Sequence, residues 1–458
     1  MRTLFQLLIV AVFLSNQLLA QWVEASPMSI TRAGHASAIM NDGRLLVAGG
    51  WDYNTNLTSA EIYDPGTDSW SNAGTMTSEH YTAQAVTLQN GKVLVISGFT
   101  GAFNTETCDL FDPQTATWSS GGFLSYGRSS FTATLLQDGR VLVVGGFNGS
   151  ENLKYCEIYD PASNSWSLTD SLETGRSYHT SSLLPDGRVL VVGGFNPDAG
   201  FQLASAELFD PQTNTWSDAA SLTIGRDYHA ASVLFNGKVM VTGGRNFNGS
   251  NNFAYNGLTE VEIYDPASDS WVFDEFLPSG LSYHKQVTTG TGSVLVIAGI
   301  DSSNFSTPGG FTTTAGVSYL YDSETGEWSD VGMNQDSRYE MTADVLSSGE
   351  AIVTGGVDAS VEIFEIPVNI NSVSALSGIQ VFPNPASSFV HVKLKQSIEI
   401  VSWNLSDLSG RSIESEIISS AGGLHTIHAK HGFFGMAIIR AVSAEGQTFT
   451  SRVMFNKE

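Results

Sequence analysis

Seven tryptophans divide most of this chain into segments of nearly equal length. They are Trp22, Trp70, Trp118, Trp166, Trp216, Trp271 and Trp328. The intervals between them are 48, 48, 48, 50, 55 and 57 residues. A period of this size is typical of blades or arrays, in which each small unit packs against its neighbours. The spacing therefore favours a ring or stack of similar units over one large irregular core.

Each segment contains the same four predicted strands. The first begins at His35, passes the turn Asp42-Gly43 and returns as the apolar run Leu45-Leu-Val-Ala48. An Asp-Gly step between two such runs predicts a β-hairpin, because these residues adopt positive φ at low cost. A third strand ends in Tyr63-Asp64-Pro65, where a turn is favoured, and a fourth contains Trp70. Four antiparallel strands per segment predict an all-β fold made of propeller blades.

Two further motifs recur in register with the tryptophans. Paired glycines end the second strand at Gly49-Gly50, Gly145-Gly146, Gly193-Gly194, Gly243-Gly244 and Gly355-Gly356. An aromatic residue precedes Asp-Pro at Tyr63, Phe111, Tyr159, Phe209 and Tyr264. Together the three motifs resemble kelch repeats over roughly residues 21–366. The resemblance implies a kelch-type β-propeller, similar to the central domain of galactose oxidase. Individual units depart from the pattern, at Ser97-Gly98, Ala298-Gly299, Tyr321-Asp322-Ser323 and Phe364-Glu365.

The number of blades follows from the two ends of the tryptophan series. The last unit has a glycine pair and a third strand, at residues 360–364, but no tryptophan follows it. Trp22, in contrast, has no unit before it. We therefore predict that the segment from Trp22 to about Met28 supplies the missing outer strand and closes a ring of seven blades. Closure through hydrogen bonds removes an exposed sheet edge.

The N-terminal residues predict export. Arg2 is followed by the apolar stretch from Leu4 to Leu14, which indicates a signal peptide over residues 1–20 with cleavage before Gln21. A membrane anchor is the alternative, but this stretch is too short to span a bilayer. We expect no transmembrane span, a propeller over residues 21–366 and a linker over residues 367–375.

The two cysteines are predicted to stay unpaired. Cys108 and Cys156 occupy the same position of the third strand in neighbouring units. Facing sheets pack about 10 Å apart, whereas a disulfide requires Cα atoms within about 7 Å. We expect two buried free thiols.

Residues 376–458 lack the repeat motifs, and their alternating apolar and polar residues predict short strands. Their distinctive residues are Pro383, Asn384 and Pro385, then Asp407, Gly410 and Arg411. These segments resemble the type A C-terminal sorting domain of the type IX secretion system, although Ala437 and Arg452 stand where that family commonly has an aromatic residue and a lysine. The resemblance implies a small immunoglobulin-like β-sandwich that, after passage through the Sec translocon, engages the type IX machinery. The propeller would then reach the outer-membrane surface or the medium of a Gram-negative bacterium. An ordinary adhesive immunoglobulin-like domain is the alternative.

Charge narrows the choice of partners. Residues 21–372 hold 13 basic and 40 acidic side chains, a net charge of −27. Such a field repels nucleic acid and anionic lipid. We therefore expect no nucleic-acid partner, and a monomeric propeller with an extracellular ligand.

Antiparallel pairing brings the start of the first strand and the end of the second strand to one mouth of the channel. Residues before the first strand are rich in arginine, histidine and tyrosine, and the residue after each glycine pair is commonly phenylalanine. The candidate ligand-binding residues at this rim are Trp51, Arg245, Arg32, His35, His80, Arg128, Arg176, His179, Arg226, His229, His284 and Arg338. Aromatic rings beside hydrogen-bonding groups suit sugars or peptide side chains.

A structural role competes with binding at the repeated positions. An arginine or histidine that recurs in every blade is also what a fold needs to satisfy carbonyls between blades. Trp51 and Arg245 interrupt the phenylalanine series and are the better binding candidates. The long loops at residues 245–260 and 301–316 lie on the same side, which is typical of a binding face.

Two functions are predicted from these features. The favoured one is a secreted or surface propeller that binds a glycan or a protein, without catalysis, cofactor or metal. The alternative is a carbohydrate-active enzyme, either a galactose-oxidase-like copper oxidase or a sugar isomerase. Kelch-type copper oxidases link a cysteine to a tyrosine, whereas Cys108 and Cys156 are predicted to lie away from the channel. The sequence contains no nucleophile elbow, metal-spaced His/Cys cluster or phosphate-binding glycine loop.

Overall fold

A computed structural model describes residues 21–246, 256–301, 317–323, 325–332, 338–356 and 358–365, and seven strands between residues 379 and 455. The predicted signal peptide lies outside the described residues, and so do most of the two predicted long loops. Of the sorting-motif residues, only Asp407 is described. In the described parts of the chain, no helix is long and apolar enough to cross a membrane.

The strands of the ring follow the predicted repeat. The chain begins with β1 (Gln21–Ala25). Blade 1 contains β2 (Ala36–Ile39), β3 (Leu45–Ala48), β4 (Ser59–Asp64) and β5 (Ser69–Thr75). Blade 2 contains β6 (Gln84–Thr87), β7 (Val93–Ile96), β8 (Thr107–Asp112) and β9 (Thr117–Phe123). Blade 3 contains β10 (Thr132–Leu135), β11 (Val141–Val144), β12 (Cys156–Asp160) and β13 (Ser165–Leu168).

The remaining blades carry additions on their loops. Blade 4 contains β14 (Thr180–Leu183), β15 (Val189–Val192), the short β16 (Phe195–Asn196) and β17 (Phe201–Gln202), β18 (Ala206–Asp210) and β19 (Thr215–Ala219); a single 3-10 turn, Pro197–Ala199, separates β16 from β17. Blade 5 contains β20 (Ala230–Val233), β21 (Val239–Thr242), the short β22 (Arg245–Asn246), β23 (Asn256–Asp265) and β24 (Ser270–Ser282). Blade 6 contains β25 (Lys285–Thr288), β26 (Val294–Ile297), the short β27 (Ile300–Asp301), β28 (Ser318–Asp322) and β29 (Glu327–Asp330). Blade 7 contains β30 (Thr342–Val345), β31 (Ala351–Thr354) and β32 (Val361–Glu365).

The sheets form a closed seven-bladed ring. Each innermost strand contacts the innermost strand of the next blade, and β30 of blade 7 contacts β2 of blade 1. The fourth strand of blade 7 is β1, which pairs antiparallel with β32 and places Trp22 opposite Phe364. The two rings pack with centroids 5.1 Å apart. The N-terminal segment thus completes the last blade, in the position that the tryptophan series requires.

The hydrophobic core lies between the blades. Every residue of β3 is fully buried, and so is every residue of its equivalents β7 and β11, because both faces of a blade pack against neighbours. The tryptophans add a bond at the outer strands. The Trp118 indole nitrogen donates to the carbonyl of Ala73 in the preceding blade, at 2.7 Å. Trp70, Trp166, Trp216 and Trp271 make the equivalent bond to a backbone carbonyl 44 to 51 residues earlier, which accounts for the regular spacing of these tryptophans.

The glycine pairs join the blades near the channel. The amide of Gly50 donates to the carbonyl of His80 in the next blade at 2.8 Å, and the ring closes where Gly356 donates to Arg32 at 2.9 Å. A Cβ atom on Gly49 would lie 2.3 Å from the same His80 carbonyl oxygen, and φ is +68° there. Only glycine fits such an approach. The motif is therefore a contact between blades as well as a strand end.

The cysteine prediction is confirmed. Cys108 on β8 and Cys156 on β12 are free and completely buried. Burial raises the pKa of both thiols, that of Cys156 to about 12. Both sulfur atoms are therefore protonated and unreactive at neutral pH.

The C-terminal residues form two antiparallel sheets. The strands are β33 (Ile379–Phe382), β34 (Phe389–Leu394), β35 (Ile400–Asp407), β36 (Ser415–Ser420), β37 (Leu424–Ala429), β38 (Gly435–Ser443) and β39 (Thr448–Phe455). One sheet has the order β33-β34-β37-β36 and the other β35-β38-β39. Leu405, Ile427 and Ile439 are buried.

Candidate ligand-binding mouth

Four residues lead into the innermost strand of every blade, and we call each group of four a mouth segment. The segments are residues 32–35, 80–83, 128–131, 176–179, 226–229, 281–284 and 338–341. In blades 1 to 6 each segment pairs through a short β-bridge or strand with the residue that follows the glycine pair of its own blade, as Ala33 does with Trp51 and Asp227 with Arg245. The two groups of rim residues predicted from the sequence therefore do meet at one mouth.

The first position of the mouth segment is buried inside the blade. It is occupied by the arginine belt, which is Arg32, Arg128, Arg176, Arg226 and Arg338. All five side chains have 0 % exposure. Each guanidinium pairs with a glutamate on the third strand of its own blade, at 2.5 to 3.1 Å. Each also donates to the carbonyl of the first glycine of the pair, as Arg226 does to Gly243 at 2.8 Å.

The sequence placed these five arginines among the residues available to a ligand, and the structure places them elsewhere. Their polar atoms are directed at carbonyls and glutamates of the blade, so the structural alternative fits them. His80 holds the same position in blade 2 and is equally buried. Its Nε2 lies 2.9 Å from Asp109 and its Nδ1 lies 2.6 Å from the Ser97 carbonyl. Burial of a polar side chain is stable only when its polar atoms have such partners.

The histidines at the fourth position also connect blades. The Nε2 atoms of His179, His229 and His284 lie 2.8 to 3.1 Å from threonine hydroxyls of the preceding blade. His35 closes the series on Thr342 and Thr354 of blade 7. Burial lowers the pKa of His35, His179 and His284 to about 3, and that of His229 well below its usual value. These four rings are neutral and engaged at ordinary pH.

The third position faces the channel. Its occupants form the channel ring, which is Gly34, Thr82, Ser130, Tyr178, Tyr228, Tyr283 and Glu340. All seven have φ between 50° and 58°, in the left-handed region. The backbone also links them in series, for example from the Tyr283 amide to the Tyr228 carbonyl at 3.0 Å and from the Gly34 amide to the Glu340 carbonyl at 2.8 Å. The same backbone therefore presents seven different side chains to one cavity.

One side of the mouth is a wall of tyrosines. Tyr228 stacks between Tyr178 and Tyr283, with ring centroids 4.0 and 3.7 Å away. The Arg245 guanidinium lies 4.3 Å from the Tyr228 centroid and donates to the Tyr283 hydroxyl at 3.3 Å. Asp227, which is fully buried, accepts from Arg245 at 2.7 Å and holds it there. Burial raises the pKa of Tyr228 and of Tyr283, the latter to about 12, so both hydroxyls remain neutral.

The opposite side combines aromatic rings with a carboxylate. Trp51 packs on Tyr53 at 4.6 Å and on Tyr81 at 6.5 Å. The Tyr81 hydroxyl donates to Glu340 at 2.9 Å. Tyr53 is 40 % exposed and donates to the Gly356 carbonyl. This side offers open ring surface together with hydrogen-bonding groups.

The cavity continues inward between these two sides. Its volume is about 610 Å³, and below the channel ring it is lined by Ser37, Lys285 and Asp344 among others. Ser37 donates to Asp344 at 2.6 Å. Burial raises the pKa of Asp344 to about 6. The sequence prediction of rim residues omitted Lys285, Glu340 and Asp344. Aligning the blades finds them, because each is the one charged residue in its slot.

Comparison with known sequences identifies both parts of the chain. The Kelch motif matches residues 32–77, 128–172, 176–223 and 228–273. The secretion system C-terminal sorting domain matches residues 380–455. The chain is therefore a kelch-repeat β-propeller that carries a C-terminal sorting domain of the type IX secretion system. The sorting domain marks it as a secreted or cell-surface protein of a Gram-negative bacterium.

Solved structures share the fold at low sequence identity. One is described as a "novel fungal alcohol oxidase with catalytic diversity among the AA5 family, in complex with copper"; it is 13 % identical, with a TM-score of 0.65 over 96 % of this chain and 100 % of that one. Another is described as "Structure of YjhT"; it is 16 % identical, with a TM-score of 0.50 over 67 % of this chain and 99 % of that one. No curated protein sequence matches the chain.

The described residues do not fit a copper centre like that implied by the first neighbour's title. Among them, no group of three or more histidine, cysteine or acidic side chains is arranged to hold a metal ion. The mouth histidines are engaged between blades, and both cysteines lie in the core.

Proposed function

We propose that this exported propeller is a binding protein whose channel mouth engages a glycan. The observation that carries the proposal is the tyrosine wall, which lines one cavity together with Tyr81 and Phe99. Arg245 lies over the wall at Tyr228, and Trp51 packs on Tyr81. Sugars are bound by ring faces that cover their apolar C–H surfaces and by neutral hydrogen-bonding groups that fix their hydroxyls. The mouth supplies both, and the hydroxyls of Tyr228 and Tyr283 stay neutral because burial raises their pKa.

The loops around the mouth extend this surface outward. Phe103 in blade 2 and Phe201 in blade 4 are 61 % and 51 % exposed. Both lie in the loops that follow the second strand, as Tyr53 does in blade 1. An exposed apolar surface around a polar cavity is typical of an interaction site. It supports a ligand longer than one sugar ring.

A glycan array probed with the mature chain, beginning at Gln21, tests the proposal. Trp51→Ala and Tyr228→Phe are expected to weaken binding of any glycan that the wild-type chain retains. The first removes a ring face, and the second removes a hydroxyl while keeping the stack. Phe123→Ala is a matched control, because this side chain is 66 % exposed on an outer strand, away from the channel. Equal binding by all three variants would contradict the proposal.

Arg245 needs a different substitution. Its removal would leave Asp227 buried without its partner, so Arg245→Ala is expected to lower stability as well as affinity. Arg245→Lys keeps the charge and loses the planar group that lies over Tyr228. A loss of affinity at an unchanged melting temperature would assign this group to the ligand.

Two other results would replace the proposal. Turnover of any member of a sugar panel, or copper in the purified protein, would favour the carbohydrate-active enzyme. Capture of an extracellular protein that Trp51→Ala abolishes would keep the site and change the class of ligand.

A further inference from the structure

Three charged side chains break the repeat pattern on one wall of the channel. Lys285 occupies a slot that holds Ala36, Gln84, Thr132, Thr180, Ala230 and Thr342 in the other blades. Asp344 occupies a slot that holds Ala38, Val86, Thr134, Ser182, Ser232 and Val287. Glu340 occupies the channel-ring slot, where no other blade has a charge. The fold does not need a charge at these slots, because the other six blades form without one.

These departures converge in space. Lys285 begins β25 in blade 6, and Glu340 and Asp344 lie on either side of the start of β30 in the neighbouring blade 7. All three line the cavity below the mouth. At the depth of Lys285 the other six blades carry only uncharged residues, which are Ala36, Gln84, Thr132, Thr180, Ala230 and Thr342. One wall of the channel is therefore charged and the other is neutral.

Lys285 differs from the other cations of the mouth. The five belt arginines and Arg245 each pair with a carboxylate. Within the described residues, the Lys285 ammonium makes no hydrogen bond or ion pair, and it is exposed to the channel while protein surrounds it. Asp344 accepts a hydrogen bond from Ser37, and Glu340 accepts one from Tyr81. Asp344 and Glu340 attract the Lys285 ammonium only from beyond ion-pair distance. An ammonium that makes no hydrogen bond in a confined cavity is suited to an anionic group.

We propose that Lys285 binds an anionic oxygen group, a carboxylate or a sulfate ester, on the glycan that enters the mouth. The inference rests on the proposed function and adds the class of ligand. The tyrosine wall would hold the sugar rings, and Lys285 would select those that carry the anion. Asp344 and Glu340, which face the same space, would disfavour that anion whenever they are ionised.

Binding measurements with three oligosaccharides of equal length test this assignment. The probes are an oligogalacturonate, a sulfated galactose oligosaccharide and the neutral galactose oligosaccharide. The full mature chain is expected to bind at least one acidic probe more tightly than the neutral one. Lys285→Met should lower the affinity for that probe by about tenfold or more, because a charge-assisted hydrogen bond is lost. It should leave the neutral probe unchanged. Lys154→Met, at an exposed position outside the cavity, is the matched control.

The carboxylates give effects of opposite sign. Asp344→Asn keeps an acceptor for Ser37, removes a negative charge and should raise affinity for the acidic probe by about threefold. Wild-type affinity should fall between pH 5 and pH 7.5, as Asp344 ionises, and Asp344→Asn should flatten this profile. The other titratable or charged groups around Lys285 in the cavity are Glu340, Tyr81, Tyr178, Tyr228, Tyr283, His35, His179, His229 and His284.

Each outcome separates this inference from the proposed function. Equal binding of acidic and neutral probes, with no effect of Lys285→Met, would overturn the anion site and leave the glycan-binding mouth standing. Weaker acidic binding in Asp344→Asn would show that the carboxyl group holds the ligand, and would also overturn it. Failure of all three probes to bind would also overturn the anion site, whereas the proposed glycan-binding function is decided separately by the glycan array.

Discussion

The arginine belt and the channel ring lie two residues apart in the same mouth segments, yet they obey opposite rules. The belt repeats one residue type in five blades, and every member is buried and paired within its blade. The ring has the same left-handed backbone in seven blades and carries Gly, Thr, Ser, Tyr or Glu. In a repeat fold, a constraint shared by all blades selects one residue at a position. Positions without that constraint can vary and serve a ligand.

The largest effect is expected from breaking one pair in the belt. Arg226→Ala leaves Glu262 buried without its partner and removes bonds to the carbonyls of Gly243 and Glu260. We expect a loss of about 3 to 5 kcal/mol in the free energy of unfolding, measured by urea denaturation. Replacing both partners with apolar residues, Arg226→Met with Glu262→Leu, should recover much of it. If Arg226→Ala left the free energy of unfolding unchanged, the belt arginines would not be structural residues, and the distinction between belt and ring would be wrong.

A second effect is expected from acid, through the buried histidines. His35, His179 and His284 titrate near pH 3 in the folded chain, and unfolded histidine titrates near pH 6.5. Between these values the unfolded chain binds protons that the folded chain does not, so stability falls as pH falls. Each such proton changes the free energy of unfolding by about 1.4 kcal/mol per pH unit.

His179→Gln isolates one of these protons. Glutamine can still bond Thr132, and the variant should lose about 1.4 kcal/mol per pH unit of slope between pH 6 and pH 4. Asp344 acts in the opposite sense, because its raised pKa lets the folded chain bind a proton between about pH 6 and pH 4. Asp344→Asn should therefore steepen the same profile. An unchanged slope in His179→Gln would mean that this ring titrates normally.

A third effect should separate affinity from stability in the ring. Tyr283→Phe keeps the stack on Tyr228 and removes the hydroxyl that accepts from Arg245. We expect the free energy of unfolding to fall by about 1 kcal/mol or less. Glycan affinity should fall clearly, and calorimetry on the same preparation measures both changes. A loss of stability without a loss of glycan affinity would show that Tyr283, like the belt arginines, has a structural role.

The smallest effect is expected at the strained positions of the ring. Ser130 has φ of 55°, and Gly34 holds the equivalent position in blade 1. Ser130→Gly relieves left-handed strain but adds freedom to the unfolded chain, so we expect a change within about 1 kcal/mol. Thermal unfolding measures it, with Gly34→Ala as the opposite substitution. Gly34→Ala should destabilise, because a Cβ there would lie 2.5 Å from the Tyr81 ring.

Much of the fold could be predicted because the same sequence pattern recurs in seven blades. Hairpin turns, glycine pairs and tryptophans each act within one blade or between adjacent blades, so their spacing is visible in the chain. The closing strand could be predicted because Trp22 has no blade of its own and blade 7 lacks its tryptophan. The mouth could be located because antiparallel pairing of the first two strands of each repeat places the same residues at one end of the channel.

The roles of the residues at that mouth required the tertiary structure. Arg226 and Tyr228 are two residues apart and equally repeated in appearance, but the left-handed backbone sends one side chain into the blade and the other into the channel. Lys285 comes from blade 6, and Glu340 and Asp344 come from blade 7, so only the packing of these two blades brings the three side chains to one wall. The sequence by itself determined the repeat, its number and the sorting domain, because those depend on local patterns. The cavity and its charges depend on which side chains meet across the ring, which the folded structure alone decides.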